Sequence, residues 1–218
     1  MKNKLKHILI AAAALFAVTF FAGCTSEIEL ELHKDGSVDV KFSGSAGNAF
    51  AALINAANNT GIDSDGQTTV VFDTQQIEYE LAQNGFTNVK AVSKAGSDLT
   101  VSMTDKTGKS ALFSSGVVKV ENNKLSASLS PQTLKKFYDK ADSQTVQFLD
   151  MLLSPVFNDE QMSQQEYLEI LESFYGEEIA GEVKDSSFRI TLKHPDGTKT
   201  VQTINFAKLL TLDETLRF

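Results

Sequence analysis

The residues able to do chemistry in this sequence are few, and most stand in patterns that lack a needed partner. A single cysteine, Cys24, follows a 15-residue run from Ile8 to Ala22 that is apolar apart from Thr19. One thiol permits no intrachain disulfide and no cysteine-based zinc or iron–sulfur site. Thr107-Gly108-Lys109-Ser110 contains the Gly-Lys-Ser of a phosphate-binding loop. The glycine such a loop needs five positions before Gly108 is Met103, so the segment reads as a surface turn. Asp63-Ser64-Asp65-Gly66 has the shape of a calcium loop. With Gly66 at loop position six, the first and twelfth positions are Gly61 and Phe72, and both ligands are missing. His33 and His194 each precede an Asp-Gly dipeptide, Asp35-Gly36 and Asp196-Gly197. Both read as solvated turn residues, able to share a metal only if the two turns are neighbours. Neither a Gly-x-Ser-x-Gly elbow nor a Ser-x-x-Lys arrangement is present. Adjacent carboxylates such as Glu177 and Glu178 diverge on a helix and read as a solvated face. The expectation is a protein without catalytic residues, metal ligands or cofactor.

What positions Cys24 is the segment before it. Lys2, Lys4 and Lys6 form a positive region ahead of the apolar run, the layout of an export signal. Fifteen apolar residues fall short of the roughly 20 that span a bilayer as a helix. The end of the run, Phe21-Ala22-Gly23-Cys24, resembles the lipobox of bacterial lipoproteins, in which an aliphatic and two small residues precede the cysteine. Phe21 stands where Leu is usual, a looseness familiar from spirochaetes. The resemblance implies a signal peptide over residues 1–23, cleavage between Gly23 and Cys24, diacylglycerol on the Cys24 sulfur and acylation of the new amine. Each buried CH₂ contributes about 0.8 kcal/mol. One chain holds marginally, whereas two or three on one residue make a stable anchor. Thr25 rather than Asp follows the cysteine. That favours the outer membrane in a diderm host, and the outer face of the cytoplasmic membrane otherwise.

Residues 24–218 are expected to form one domain. Removing the three signal lysines leaves 17 basic against 28 acidic side chains, a net charge of −11. Nucleic acid is a poor partner for such a body, and anionic headgroups repel it. With 42% hydrophobic and 22% charged residues there is material for a core.

Hairpins alternate with helices along this stretch. Ile28, Leu30 and Leu32, then Val38, Val40 and Phe42, alternate around Asp35-Gly36. Phe50, Leu53, Ile54 and Ala57 recur at helical spacing. Asp73 with Gln76 reads as a capping box, and Gly85-Phe86 as that helix's end. Strands follow at Val89–Ser93 and Leu99–Met103, then at Val117–Val120 and Leu125–Leu129 around Asn122-Asn123. Ser130-Pro131 starts a helix. Ser163 with Glu166 starts another, for which Tyr167, Ile170, Leu171, Phe174 and Tyr175 form the inner face. Ile179 and Val183 mark a short helical turn. Phe188–Leu192 and Thr200–Phe206 flank Pro195-Asp196-Gly197, and Leu209-Leu210-Thr211-Leu212 packs back. The expected class is α+β, a mostly antiparallel sheet of hairpins with helices packed on one side.

This order, with Asp35-Gly36 near the anchor, Asn84-Gly85-Phe86 at a helix end and a closing Leu209-Leu210-Thr211-Leu212, resembles treponeme-type lipoproteins of an uncharacterised family. More distantly it is similar to LppM-type bacterial lipoproteins. The latter resemblance implies association with membrane lipids and no catalytic residues. The expected function is a non-enzymatic binding role at an envelope membrane, toward a lipid or a partner protein. The alternative is a carboxylate-dependent envelope hydrolase. Twelve phenylalanines remain after the signal. They read first as core packing, and second as the lining of a lipid cavity, whose sign would be an apolar void on the order of several hundred Å³.

Overall fold

The computed structural model describes residues 25–57, 72–94, 98–138, 150, 153, 155–156 and 161–218. The signal segment, Cys24 and the Asp63–Gly66 loop lie outside them. In chain order the strands are β1 (Thr25–Leu32), β2 (Val38–Ser45), β3 (Thr87–Lys94), β4 (Asp98–Asp105), β5 (Val118–Glu121), β6 (Lys124–Leu129), β7 (Ser187–Lys193), β8 (Lys199–Asn205) and β9 (Leu216–Arg217). The helices are α1 (Asn48–Ala57), α2 (Thr74–Gln83), α3 (Ala111–Ser114), α4 (Pro131–Tyr138), α5 (Gln164–Tyr175), α6 (Glu177–Asp185) and α7 (Phe206–Leu210).

Six strands make the main sheet, in the order β3-β4-β2-β1-β7-β8, and β5-β6-β9 make a second. The period-two patterns dictate the inner face. Leu30 stands opposite Val40, Leu32 opposite Val38, and Phe42 is flanked by Ile28 and Val101. All of these are buried, and each such side chain contributes roughly 1.5–3 kcal/mol relative to exposure. The second sheet and the helices supply the rest of one continuous core, including Phe50, Leu81, Leu134, Tyr167, Val183 and Phe206. The other face of the main sheet carries Glu27, Glu29, Glu31, Asp39, Lys41, Arg189 and Lys193, exposed or half-buried. The fold is α+β and mostly antiparallel.

Local signals explain most boundaries. Asp73 accepts from Gln76 N (2.9 Å) at the start of α2. The Gln76 side chain turns to Glu80 rather than back to the cap. At its far end Gly85, at φ +89°, lets Phe86 N reach Leu81 O and Gly85 N reach Ala82 O, the paired bonds of a Schellman end. Ser163 and Glu166 form the reciprocal capping box of α5. Asn122 and Asn123, at φ +51° and +60°, turn β5 into β6. The edge strand β3 is bulged between Thr87 and Lys90, and Glu78 of α2 accepts from its Ala91 N (2.8 Å), which caps the sheet edge.

Four features differ from the sequence reading. β1 and β7 pair in parallel, because β7 returns only after a long helical connection, which parallel neighbours require. The third hairpin forms its own sheet. Phe206 leaves the strand and opens α7, since Asn205 Oδ1 accepts from Ala207 N (2.8 Å) as an N-cap. On α5 only Tyr167 and Leu171 are buried. Ile170, Phe174 and Tyr175 face outward.

Candidate functional site

β1 is an interior strand of the main sheet, and it begins at Thr25, one residue beyond Cys24. It runs between β2 and β7 with Thr25 beside Ser187. Ser26 is already fully buried. At the same end of the sheet lie Ser45, Asp98 and Asn205. The register therefore distinguishes an end of the main sheet next to Cys24 from an end remote from it.

The remote end holds three aspartate-built turns. In His33-Lys34-Asp35-Gly36-Ser37, Asp35 Oδ1 accepts from Ser37 N (3.0 Å) and Ser37 Oγ (2.6 Å). Asp196 does the same for Thr198 N (2.9 Å) and Oγ1 (2.5 Å) in His194-Pro195-Asp196-Gly197-Thr198. These bonds hold both carboxyls below the usual aspartate range. The parallel pairing does make the two turns neighbours, yet their histidines serve different faces. His33 Nε2 meets Asp39 Oδ2 (2.9 Å) on the charged outer face. That bond raises the His33 pKa above its ordinary value of 6.5, against the opposing effect of burial, and the charges of Asp39, Glu31 and Asp35 add to it. His194 Nδ1 accepts from Leu125 N (3.2 Å) in β6, so it ties the second sheet to the first. Among the described residues no group of three or more His, Cys, Asp or Glu is placed to hold a metal.

The third turn settles the Gly-Lys-Ser lookalike. Asp105 is 1% exposed. It accepts from Thr107 N (2.8 Å), Gly108 N (2.8 Å) and Ser110 N (3.0 Å). The space where a phosphate would sit is filled by a carboxylate of the chain itself. Burial works to raise the Asp105 pKa, and the surrounding donors still hold it below the usual range. The three backbone donors carry that effect, since the buried Ser110 Oγ makes no hydrogen bond of good geometry. Glu182 is engaged in the same way: Oε1 accepts from Ala49 N (2.9 Å) and Oε2 from Phe50 N (3.0 Å), at the start of α1. A Cβ on Gly47 would lie 2.4 Å from that carboxylate, so glycine is what lets it approach. On the outer face Lys193 Nζ meets Glu29 (2.6 Å) and Glu31 (3.5 Å).

Neither the protein-family models nor the curated proteins nor the solved structures offer a match to this chain.

Two further features bear on binding. Between the sheets lies an apolar cavity of about 40 Å³, lined by residues that include Leu30, Val118, Leu129, Phe188 and Leu209. A void of about 150 Å³ takes a benzene-sized ligand, so this one is far too small for an acyl chain. On α5, Ile170 (40%), Phe174 (76%) and Tyr175 (37%) are exposed, with the two rings 6.4 Å apart. The 23 residues from Gln161 to Val183 carry six glutamates and no basic side chain. The helical period predicts all three of these apolar residues inward, and no sequence pattern marks Asp105 or Glu182. Period alone cannot say how wide a buried stripe is, and an isolated carboxylate has no pattern. Among the described residues no helix is long and apolar enough to cross a membrane.

Proposed function

We propose that this chain is a lipid-anchored envelope protein whose folded body binds a partner protein and performs no catalysis. The observation that carries the anchor is the join: an interior strand starts one residue after a cysteine that follows a lipobox-like sequence. Cleavage between Gly23 and Cys24 removes no residue of the described fold, which begins at Thr25. Detergent phase partitioning tests this: the native chain enters the detergent phase, and Cys24→Ser stays in the aqueous phase. Aqueous partitioning of both would defeat the anchor.

The binding role is supported by the outward apolar stripe of α5. A cluster of exposed apolar side chains rimmed by polar groups is the form an interaction face takes. Its glutamates suit a partner with an apolar segment flanked by Lys or Arg, and disfavour both an anionic bilayer and a second copy. The buried and half-buried carboxylates Asp105 and Glu182 are engaged by backbone donors, which gives the hydrolase alternative no support. An amphipathic Lys/Leu helix serves as probe. It should bind the full chain, and Phe174→Ser should weaken it roughly tenfold, as for a central interface anchor. A Glu/Leu counterpart should not bind. Equal binding of the two peptides would defeat the reading.

A further inference from the structure

The geometry points to the end of the main sheet that bears Thr25, Ser45, Ser187 and Asn205 as the surface that rests on the bilayer, with the His33 and His194 turns held away from it. This rests on the anchor reading and adds an orientation to it. The described residues begin at Thr25, next to Cys24, and β1 is held on both sides by β2 and β7. No slack intervenes between the acylated residue and the rigid sheet, so the anchor fixes which end of the sheet is down.

Four of the six main-sheet strands end at the anchor side in uncharged residues, Thr25, Ser45, Ser187 and Asn205, while β3 and β4 end there in Lys94 and Asp98, one of each sign. The remote end presents Lys34, Asp35, Lys106, Asp196 and Lys199, all exposed. The molecule could instead lie on its side. Resting on its α5 face would press the glutamates there toward the headgroups, which an anionic surface opposes. The outer sheet face carries both signs, Glu27, Glu29, Glu31 and Asp39 beside Lys41, Arg189 and Lys193, so there the short join at Thr25 decides: an interior strand that starts at the anchor turns its own end to the bilayer. The eight residues of β1 then lift the two turns about 27 Å above the anchor, at roughly 3.4 Å per residue.

The test uses the full acylated chain in vesicles of phosphatidylethanolamine and phosphatidylglycerol containing a headgroup-nitroxide lipid. Acylation occupies the Cys24 sulfur, so an introduced cysteine is the one free thiol for a fluorophore. Labels go at Asp98→Cys, exposed at the anchor end, and Lys34→Cys, exposed at the remote end. Thr203→Cys and Lys106→Cys repeat the pair on other strands should either variant fail to fold. The expected result is several-fold stronger quenching at position 98 than at 34. Equal quenching, or stronger quenching at 34, on a chain whose acylation is verified by intact mass overturns the orientation and leaves the anchor standing. An unmodified Cys24 overturns both.

Discussion

The turns at His33–Ser37 and His194–Thr198 are alike in nearly every local respect and unlike in what they do. Both are His-x-Asp-Gly followed by a hydroxyl residue. In each the histidine N–H reaches the fifth residue's carbonyl at 2.9 Å, and the glycine sits near φ +84°. One histidine pairs with Asp39 in solvent, while the other bonds the backbone of the second sheet. Turn chemistry builds the loop. The face to which the preceding strand delivers it decides the role: Leu32 before His33 points inward, and Lys193 before His194 points outward. The same contrast recurs on α5, where Leu171 is buried and Phe174, three residues on, is not. Like residues take unlike roles through their neighbours in space.

Substitutions can break or sharpen this contrast. The largest difference is expected on α5. Leu171→Ala should cost about 2–5 kcal/mol in urea unfolding, and Phe174→Ala at most about 0.5 kcal/mol. A comparable loss at both would mean that Phe174 is packed. Next comes Asp105→Ala, which strands three inward-facing N–H groups and should cost about 3 kcal/mol. The Asp105 pKa is depressed in the fold. Its contribution is therefore complete above the unfolded aspartate range and lost as pH falls through the lower folded value. Asp105→Asn should flatten the acid limb of the stability curve, and an unchanged limb would contradict the assignment.

Smaller effects separate the two histidine turns. His194→Ala should cost about 1 kcal/mol, because Leu125 N loses its acceptor at a partly buried site. His33→Ala should cost less. Reversal of that order would mean that His194 does not join the sheets. The mildest effect is a titration. The pKa of His33 lies above 6.5, so its bond to Asp39 stabilises fully below the unfolded value and is lost as pH rises through the folded one. Asp39→Asn should bring the His33 NMR midpoint down toward 6.5, and an unmoved midpoint would show that Asp39 is not the cause.

Much of this architecture is legible in the chain because short-range rules act strongly here. The alternation of Ile28 to Phe42 around Asp35-Gly36, the Ser163–Glu166 box and the Gly85 terminus each depend on residues within a few positions of one another. What the chain does not reveal is long-range. Nothing local in Phe188–Leu192 says that it lies parallel to β1, 162 residues away in register. Nothing in Ile170 and Phe174 distinguishes an inward stripe from an outward one at the same period. Asp105 and Glu182 are single carboxylates whose partners become visible only when loop and helix backbones converge on them. Of the candidate site, Cys24 stands out in the sequence by its flanks and lies outside the described residues, whereas nothing in the sequence marks the α5 face.

The lipid anchor stands or falls with what is attached to Cys24. Intact-mass spectrometry of the protein isolated from its own membranes should give a chain that begins at Cys24 and carries diacylglyceryl and amide-linked acyl groups. A mass matching a chain with a free Cys24 thiol, or one that retains residues 1–23, would contradict it.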